Sequence, residues 1–181
     1  MVERPGFTAH AVELFARFRV GLGFSCSVLV FWLAAPTLAS IAAGLPFAVV
    51  GEGIRVWASG HLNKSREVTR SGPYRFVAHP LYLGSSIIGA GLAIGANSVA
   101  VAVIIAAYLA ITLTSAIRSE EAFLRRVFND AYEEYRHTGI VDRERRFSLS
   151  RAMANREYRA VAGAGVALLL LLWKATYNRL F

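Results

Sequence analysis

With 181 residues, 55% of them hydrophobic and only 18% charged, and a mean hydropathy of +0.44, the chain is too apolar for an ordinary soluble domain. The formal net charge of +8 does not gather on one soluble face. Its basic residues fall between apolar segments, so an anionic membrane surface accounts for them better than nucleic acid does. The single cysteine, Cys26, excludes a disulfide framework and a cysteine-based metal site.

Residues 1–19 read as a short amphipathic lead-in, with Phe7, Val12, Phe15 and Phe18 set among Glu13, Arg17 and Arg19. A spanning segment follows at once, unlike a cleaved secretory leader. Val20 to Ala39 is apolar apart from small hydroxyl residues and one cysteine. At about 1.5 Å per residue it crosses a hydrocarbon core of ~30 Å and is the first expected span. Pro36, Gly44 and Pro46 punctuate the next stretch, and Ile41 to Ala58 makes a second span. Glu52 and Arg55 are three apart in it, hence neighbours on one helix face and expected to pair near the cytoplasmic interface.

After Gly60 the chain turns polar, and HLNKSREVTRSGPYRFVA carries no periodicity that would make it a span. Within it begins SGPYRFVAHPLYLG, residues 71–84, where a Gly-Pro turn, two tyrosines, an arginine and a His-Pro step lead into an apolar helix. Proline suits the first helical position because its φ is already helical and its missing N–H would be unpaired there anyway. Pro80 is therefore the expected N1 residue and His79 the cap. An imidazole and free backbone N–H groups at the positive end of a helix dipole can hold a carboxylate or phosphate, although His79 can equally be a simple cap.

Leu81 to Gly95 is the third span, with Gly84, Gly89, Gly91 and Gly95 suited to a tight helical hairpin in lipid. Asn97 and Ser98 make the turn, and Val99 to Ile117 is the fourth span. From Arg118 to His137 the pattern becomes a charged amphipathic helix: Leu124, Val127 or Phe128, Ala131 and Tyr135 recur at helical spacing, and one turn before Leu124 lies Glu120. A carboxylate on the buried stripe is the unusual feature of this segment. Tyr132 and Tyr135 read first as packing or interface anchors. Residues 139–156 form a basic linker whose arginine run at 143–146 suits lipid headgroups. Tyr158 to Trp173 is a fifth span, followed by Lys174 and Arg179. His61 and His137 lack partners at metal-ligand spacing, so no metal is expected.

The expected fold is an all-α polytopic membrane bundle of about five spans, one integral membrane domain over residues 1–181. All Lys and Arg residues except Lys174 and Arg179 lie at the N-terminus, in the loop before Pro80 with Arg55, or from Arg118 to Arg159. Because cytoplasmic loops collect Lys and Arg, this shared side is cytoplasmic and the C-terminus points outward. The expected location is integral to a membrane, of the bacterial inner-membrane type that the resemblance given below implies, with the His79 loop and the Glu120 helix both facing the cytosol.

The segments GPYRFVAHPLYLG and EEAFLRRVFNDAYEEY, separated by a helical hairpin, resemble the isoprenylcysteine carboxyl methyltransferase family, which is related to the membrane phospholipid methyltransferases. The upstream GEGIRVWASGHL resembles bacterial members. The resemblance covers roughly residues 45–140 as a methyltransferase-like core and leaves the C-terminal helix, residues 157–177, as an addition. It implies an S-adenosyl-L-methionine-dependent methyltransferase with a cytosolic cofactor pocket and sideways access for a lipophilic acceptor; membrane lipid is the expected partner, with no nucleic acid and no metal. By motif position the cofactor residues would be Tyr74, His79, Pro80, Leu81, Tyr82 and Glu120, with Arg66, Glu67, Val68 and Thr69 as looser members. No general base can be named from the sequence; the catalytic candidates are Arg118 and Glu121. Two positions depart from the family pattern: the arginine that commonly precedes the His-Pro step is Ala78, and the substrate-associated arginine one turn before the first glutamate is Ala116. Both departures favour an acceptor other than the carboxylate of a prenylated cysteine.

Two other readings stay open. Steroid reductase-like membrane proteins carry a similar His-Pro step and bind a nicotinamide cofactor, although no G-x-G-x-x-G fingerprint is present. A non-catalytic membrane scaffold with a vestigial pocket is the other, supported by Ala78 and Ala116.

Overall fold

The computed structural model describes residues 21, 23–64, 66–138, 142 and 144–177, and the side chains of 129–138 lie outside that description. The N-terminal lead-in, Arg143, Arg179 and the side chains of Ala131, Tyr132, Tyr135 and His137 therefore lie outside the described residues. The described chain is a helical bundle: α1 (Gly23–Leu33), α2 (Leu38–His61), a 3-10 turn (Gly72–Arg75), α3 (Pro80–Ala96), α4 (Val99–Thr138), α5 (Leu149–Ala154) and α6 (Tyr158–Tyr177). The all-α membrane class expected from composition is what forms. Among the described residues, α2, α4 up to Phe128, and α6 are long and apolar enough to cross a membrane, whereas α1 and α3 are shorter apolar helices. At 17 residues α3 extends about 26 Å, just under the thickness of a hydrocarbon core.

Helix boundaries follow local chemistry. The first apolar run stops at Leu33, because Pro36 cannot continue a helix, and Thr37 then opens α2. Thr37 and Ser40 form a reciprocal capping box, each side chain accepting the other's backbone N–H at 3.0 and 2.9 Å. Asn97 ends α3 in the left-handed region at φ 49°, a conformation asparagine tolerates well, and turns the chain into α4. Residues 99–138 contain neither glycine nor proline, so the fourth span and the charged amphipathic segment run together as one helix of 40 residues. A change from apolar to charged side chains does not interrupt the backbone ladder. At about 1.5 Å per residue the helix is about 60 Å long, enough to pass through a bilayer and project beyond it.

The α3 glycines mostly serve α2 rather than the α3–α4 hairpin. A Cβ on Gly51 would lie 2.6 Å from the Gly84 carbonyl oxygen and 2.8 Å from the Ile88 amide. One on Gly91 would lie 2.7 Å from the Gly44 carbonyl. Glycines seven apart on each helix, Gly44 and Gly51 against Gly84 and Gly91, bring the two backbones into direct contact. Packing of α3 on α4 is sparser, and the space left between them is a groove. At the far end Ala34, Ala96, Val101 and Leu171 form a small buried cluster, and Lys174 donates to the Phe31 and Trp32 carbonyls, tying α6 to the end of α1. Outward positions such as Val103 and Leu169 are more than 60% exposed, as suits helices meeting lipid.

Candidate active site

His79 takes the cap position before Pro80, but its side chain does not cap α3. The ring turns instead to α4, with Nδ1 3.5 Å from Glu120 Oε2 and Nε2 3.4 Å from Glu121 Oε1. Both adjacent glutamates thus face the same imidazole, one at each nitrogen. The Glu120 carboxylate beside the ring raises the His79 pKa above its ordinary 6.5, Glu121 adds to the effect, and burial opposes it. An imidazole so placed is held toward its protonated form, donating from both nitrogens. The Tyr82 ring lies 5.6 Å from that of His79, and its phenol reaches the Glu120 carboxylate, which Lys64 also approaches. Glu120 is 38% exposed, a half-open carboxylate rather than a fully buried one.

The first turn of α3 offers fewer free donors than the motif suggests, because the Tyr82 and Leu83 amides both donate to the His79 carbonyl at 3.1 Å. Pro80 is fully buried, and the Leu81 carbonyl accepts from Arg55. Tyr74 is buried in the 3-10 turn. Gly72 at φ 58° makes that turn possible, with His61 packed where a Cβ would stand. His61 itself is buried and bonds the Trp57 carbonyl through Nδ1 at 3.0 Å.

The looser candidates of the 66–69 loop divide. Arg66 is exposed and Val68 half-buried, whereas Thr69 is buried and accepts from the Asn63 amide at 3.4 Å. Glu67 is engaged by Arg145, whose hydrogen bond holds its carboxyl below the ordinary range. The loop is strapped by the segment before α5 and by α5 itself: Asp142 N–H donates to the Arg70 carbonyl, Arg145 to the His61 carbonyl, and Arg151 of α5 to the Gly60 carbonyl. Two backbone amides, from Glu144 and Arg145, fix the Asp142 carboxylate and lower its pKa. Of the two catalytic candidates, Glu121 joins the His79 cluster, while Arg118 is exposed and does not line the groove.

From this cluster the groove between α3 and α4 runs away into the apolar region. Its volume is about 530 Å³, and it is open along one side. His79 and Tyr82 stand at one end; Leu83, Gly89, Ala90, Ile105, Ala106, Leu109 and Leu113 are among the residues that line it. Motif reading did not find this groove. Its sequence signal is the small residues Gly89, Ala90, Ala93, Ala102, Ala106 and Ala110, which leave space where larger side chains would fill the interface. The expected Glu52–Arg55 pair does not form: Arg55 instead pairs with Glu157 at 2.8 Å, and both Glu52 carboxylate oxygens are buried without a hydrogen-bond partner among the described residues. The turn leading into α6 offers Arg55 better-directed oxygens than its own helix does.

Over 106 residues the chain is 32% identical to the nickel-cobalt-cadmium resistance protein NccN of Alcaligenes xylosoxydans xylosoxydans, covering 58% of this chain and 48% of that protein. Over 97 residues it is likewise 32% identical to the cobalt-zinc-cadmium resistance protein CzcN of Cupriavidus metallidurans, covering 52% and 44%. The matches thus span less than half the length of these curated relatives. No solved structure matches the chain. The sequence model of the phospholipid methyltransferase family matches residues 18–131, which takes in α1, the first motif segment and the second as far as Ala131. The chain belongs to the phospholipid methyltransferase family, whose members are membrane methyltransferases.

Proposed function

We propose that this protein is an S-adenosyl-L-methionine-dependent methyltransferase whose cofactor sits at the His79, Tyr82, Glu120 and Glu121 cluster, with a lipophilic acceptor laid along the α3–α4 groove. The observation that carries the reading is the continuity of the two. A cluster of titratable side chains opens directly into a groove lined by Gly, Ala, Leu and Ile. From His79 to Ala93 the groove follows about 14 residues of helix, or roughly 21 Å, the reach of a long hydrocarbon chain.

The residues present fit the group. Carboxylates suit an amine, a sulfonium or ribose hydroxyls, and Glu120 and Glu121 lie side by side at the mouth. The same two carboxylates oppose a phosphorylated nicotinamide dinucleotide, which needs arginines or free amides where this cluster offers acceptors. The bound cofactor supplies an electrophilic methyl group. The chain's contribution is position: Glu120 and Tyr82 fix one side of the cluster, His79 holds Glu120 and Glu121 in register, and the groove aligns an acceptor head with the cluster while excluding water from its tail. Ala116 leaves no guanidinium at the position the resemblance associates with the substrate, and Ala78 replaces the arginine before the His-Pro step, which together favour a different head group.

Titration of the purified full chain in detergent with S-adenosylhomocysteine, and separately with NADPH, tests the reading. Saturable binding of the first alone is expected, weakened in both H79A and E120A. Binding of NADPH alone supports the reductase, and silence with both on folded protein supports a scaffold. The relatives' names motivate a second test: if the product of methylation serves a metal response, deletion in the host should lower tolerance to cobalt and cadmium.

A further inference from the structure

We infer that Arg55 and Glu157 are positioning residues that lock the first two turns of α3, so that the C-terminal helix α6 becomes a structural part of the cofactor site. This rests on the methyltransferase reading above. The guanidinium of Arg55 makes contacts in three directions. Its Nε donates to Glu157 Oε1 at 2.8 Å, and its Nη1 donates to the Leu81 carbonyl at 3.3 Å and to Ser85 Oγ at 2.5 Å. Ser85 Oγ in turn donates to the same Leu81 carbonyl at 3.0 Å. Leu81 and Ser85 directly follow the His79–Pro80 step, so one side chain from α2 ties the base of the cofactor cap to the start of α6.

The arrangement is specific rather than a generic charge pair. Glu52 stands three residues from Arg55 on the same helix, within electrostatic reach, yet Arg55 hydrogen-bonds the acid 102 residues away. Glu157 is held for that purpose. It is 7% exposed, and the preceding Arg156 takes a left-handed φ of 60°, a conformation that non-glycine residues adopt only when their surroundings demand it. Asn155 anchors the same turn to α2 through the Ser59 and Leu62 carbonyls, both at 2.9 Å. Only a planar, forked cation can serve Glu157, Leu81 and Ser85 together; a lysine ammonium is a point charge on a flexible stem. The family match ends at residue 131, so Glu157 and α6 lie outside the matched segment.

The test uses the full chain in detergent, with R55K, E157Q and, as a charge control, E52Q. Two quantities are read: the Kd for S-adenosylhomocysteine, and amide hydrogen exchange along α3 compared with α2 and α6. R55K and E157Q should each weaken binding about tenfold, the scale of a sub-ångström to ångström misplacement, and speed exchange at Tyr82–Ser86 while α2 keeps its protection. E52Q removes a nearby charge but none of the clamp's hydrogen bonds, so its effect on both quantities should be clearly smaller than that of E157Q. Wild-type affinity and wild-type exchange in E157Q would overturn the proposal, as would equal acceleration along all three helices or an E52Q effect as large as that of E157Q. If the wild type binds no S-adenosylhomocysteine, the methyltransferase reading falls, and the exchange comparison still decides the clamp.

Discussion

Two glycines on α2, two residues apart, should respond in opposite ways to the same added methyl group. A Cβ on Gly51 would meet the Gly84 carbonyl oxygen at 2.6 Å and the Ile88 amide nitrogen at 2.8 Å, whereas one on Gly53 meets nothing within 4 Å. Ordinary van der Waals contact begins near 3.4 Å, so G51A forces α2 and α3 apart by roughly 0.8 Å, and neither backbone can rotate out of the way as a side chain could. Overpacking of this kind costs about 1–3 kcal/mol. G53A adds the helix preference of alanine over glycine with no contact to relieve, a gain of up to ~1 kcal/mol. Because Gly84 lies one turn beyond Pro80, the displacement in G51A also moves His79 and Tyr82 relative to Glu120. Cofactor affinity should therefore fall in G51A and not in G53A. Thermal unfolding in detergent followed by tryptophan fluorescence, with S-adenosylhomocysteine titration on the same samples, checks both parts. Equal melting and equal affinity for G51A and G53A would refute the backbone-contact account.

Blocking the groove should separate its two ends: A106W fills the space between α3 and α4, so acceptor turnover should collapse while S-adenosylhomocysteine affinity stays within about threefold, by calorimetry. The His79 ion pairs have a defined pH window. A raised pKa means that the contribution is full below about pH 6.5 and is lost as pH rises through the higher folded value, so cofactor binding should weaken on the alkaline side, and E120Q should move that decline to lower pH. The strap on the 61–72 loop behaves oppositely. Glu67 and Asp142 are held below their ordinary 4.5 and 3.8, so their contribution is present at neutral pH and is lost as pH falls through the lowered values. Amide exchange in the loop should accelerate there, and R145A should reproduce the acceleration at pH 7.

Local chemistry made much of this architecture readable from the chain. Pro80 marked its helix start and Asn97 its turn because proline φ and the left-handed tolerance of asparagine are properties of single residues. The Glu120 segment stood out because a carboxylate recurred on an apolar stripe. What escaped depended on partners far apart in sequence. Arg55 had a local acid in Glu52, and nothing in a helical repeat could tell that Glu157 would take its place. The α3 glycines were legible as a close-approach face, but which helix they approached depended on the matching glycines of α2, Gly44 and Gly51. Likewise, the change of character at Arg118 suggested two helices. The absence of a breaking residue between Val99 and Thr138 was the better guide, since side-chain polarity decides where a helix sits and not whether its backbone continues.

The site was legible as a motif and illegible as a space. His79 and Glu120 could be paired by their joint resemblance to one family, but the direction of the His79 ring depends on α4 continuing unbroken past Ile117 to bring Glu120 and Glu121 alongside it. The groove is defined by what small residues leave empty, which no pattern of chemistry-bearing residues displays.

The most direct test of the whole account is methyl transfer itself. Proteoliposomes of the full chain in lipids from its host, supplied with methyl-labelled S-adenosylmethionine, should place label in the organic-extractable fraction. E120A and A106W proteoliposomes should place almost none there. Label that stays in the aqueous phase for all three proteins, with folding intact, would contradict a lipid-directed methyltransferase working from the His79–Glu120 cluster along the α3–α4 groove.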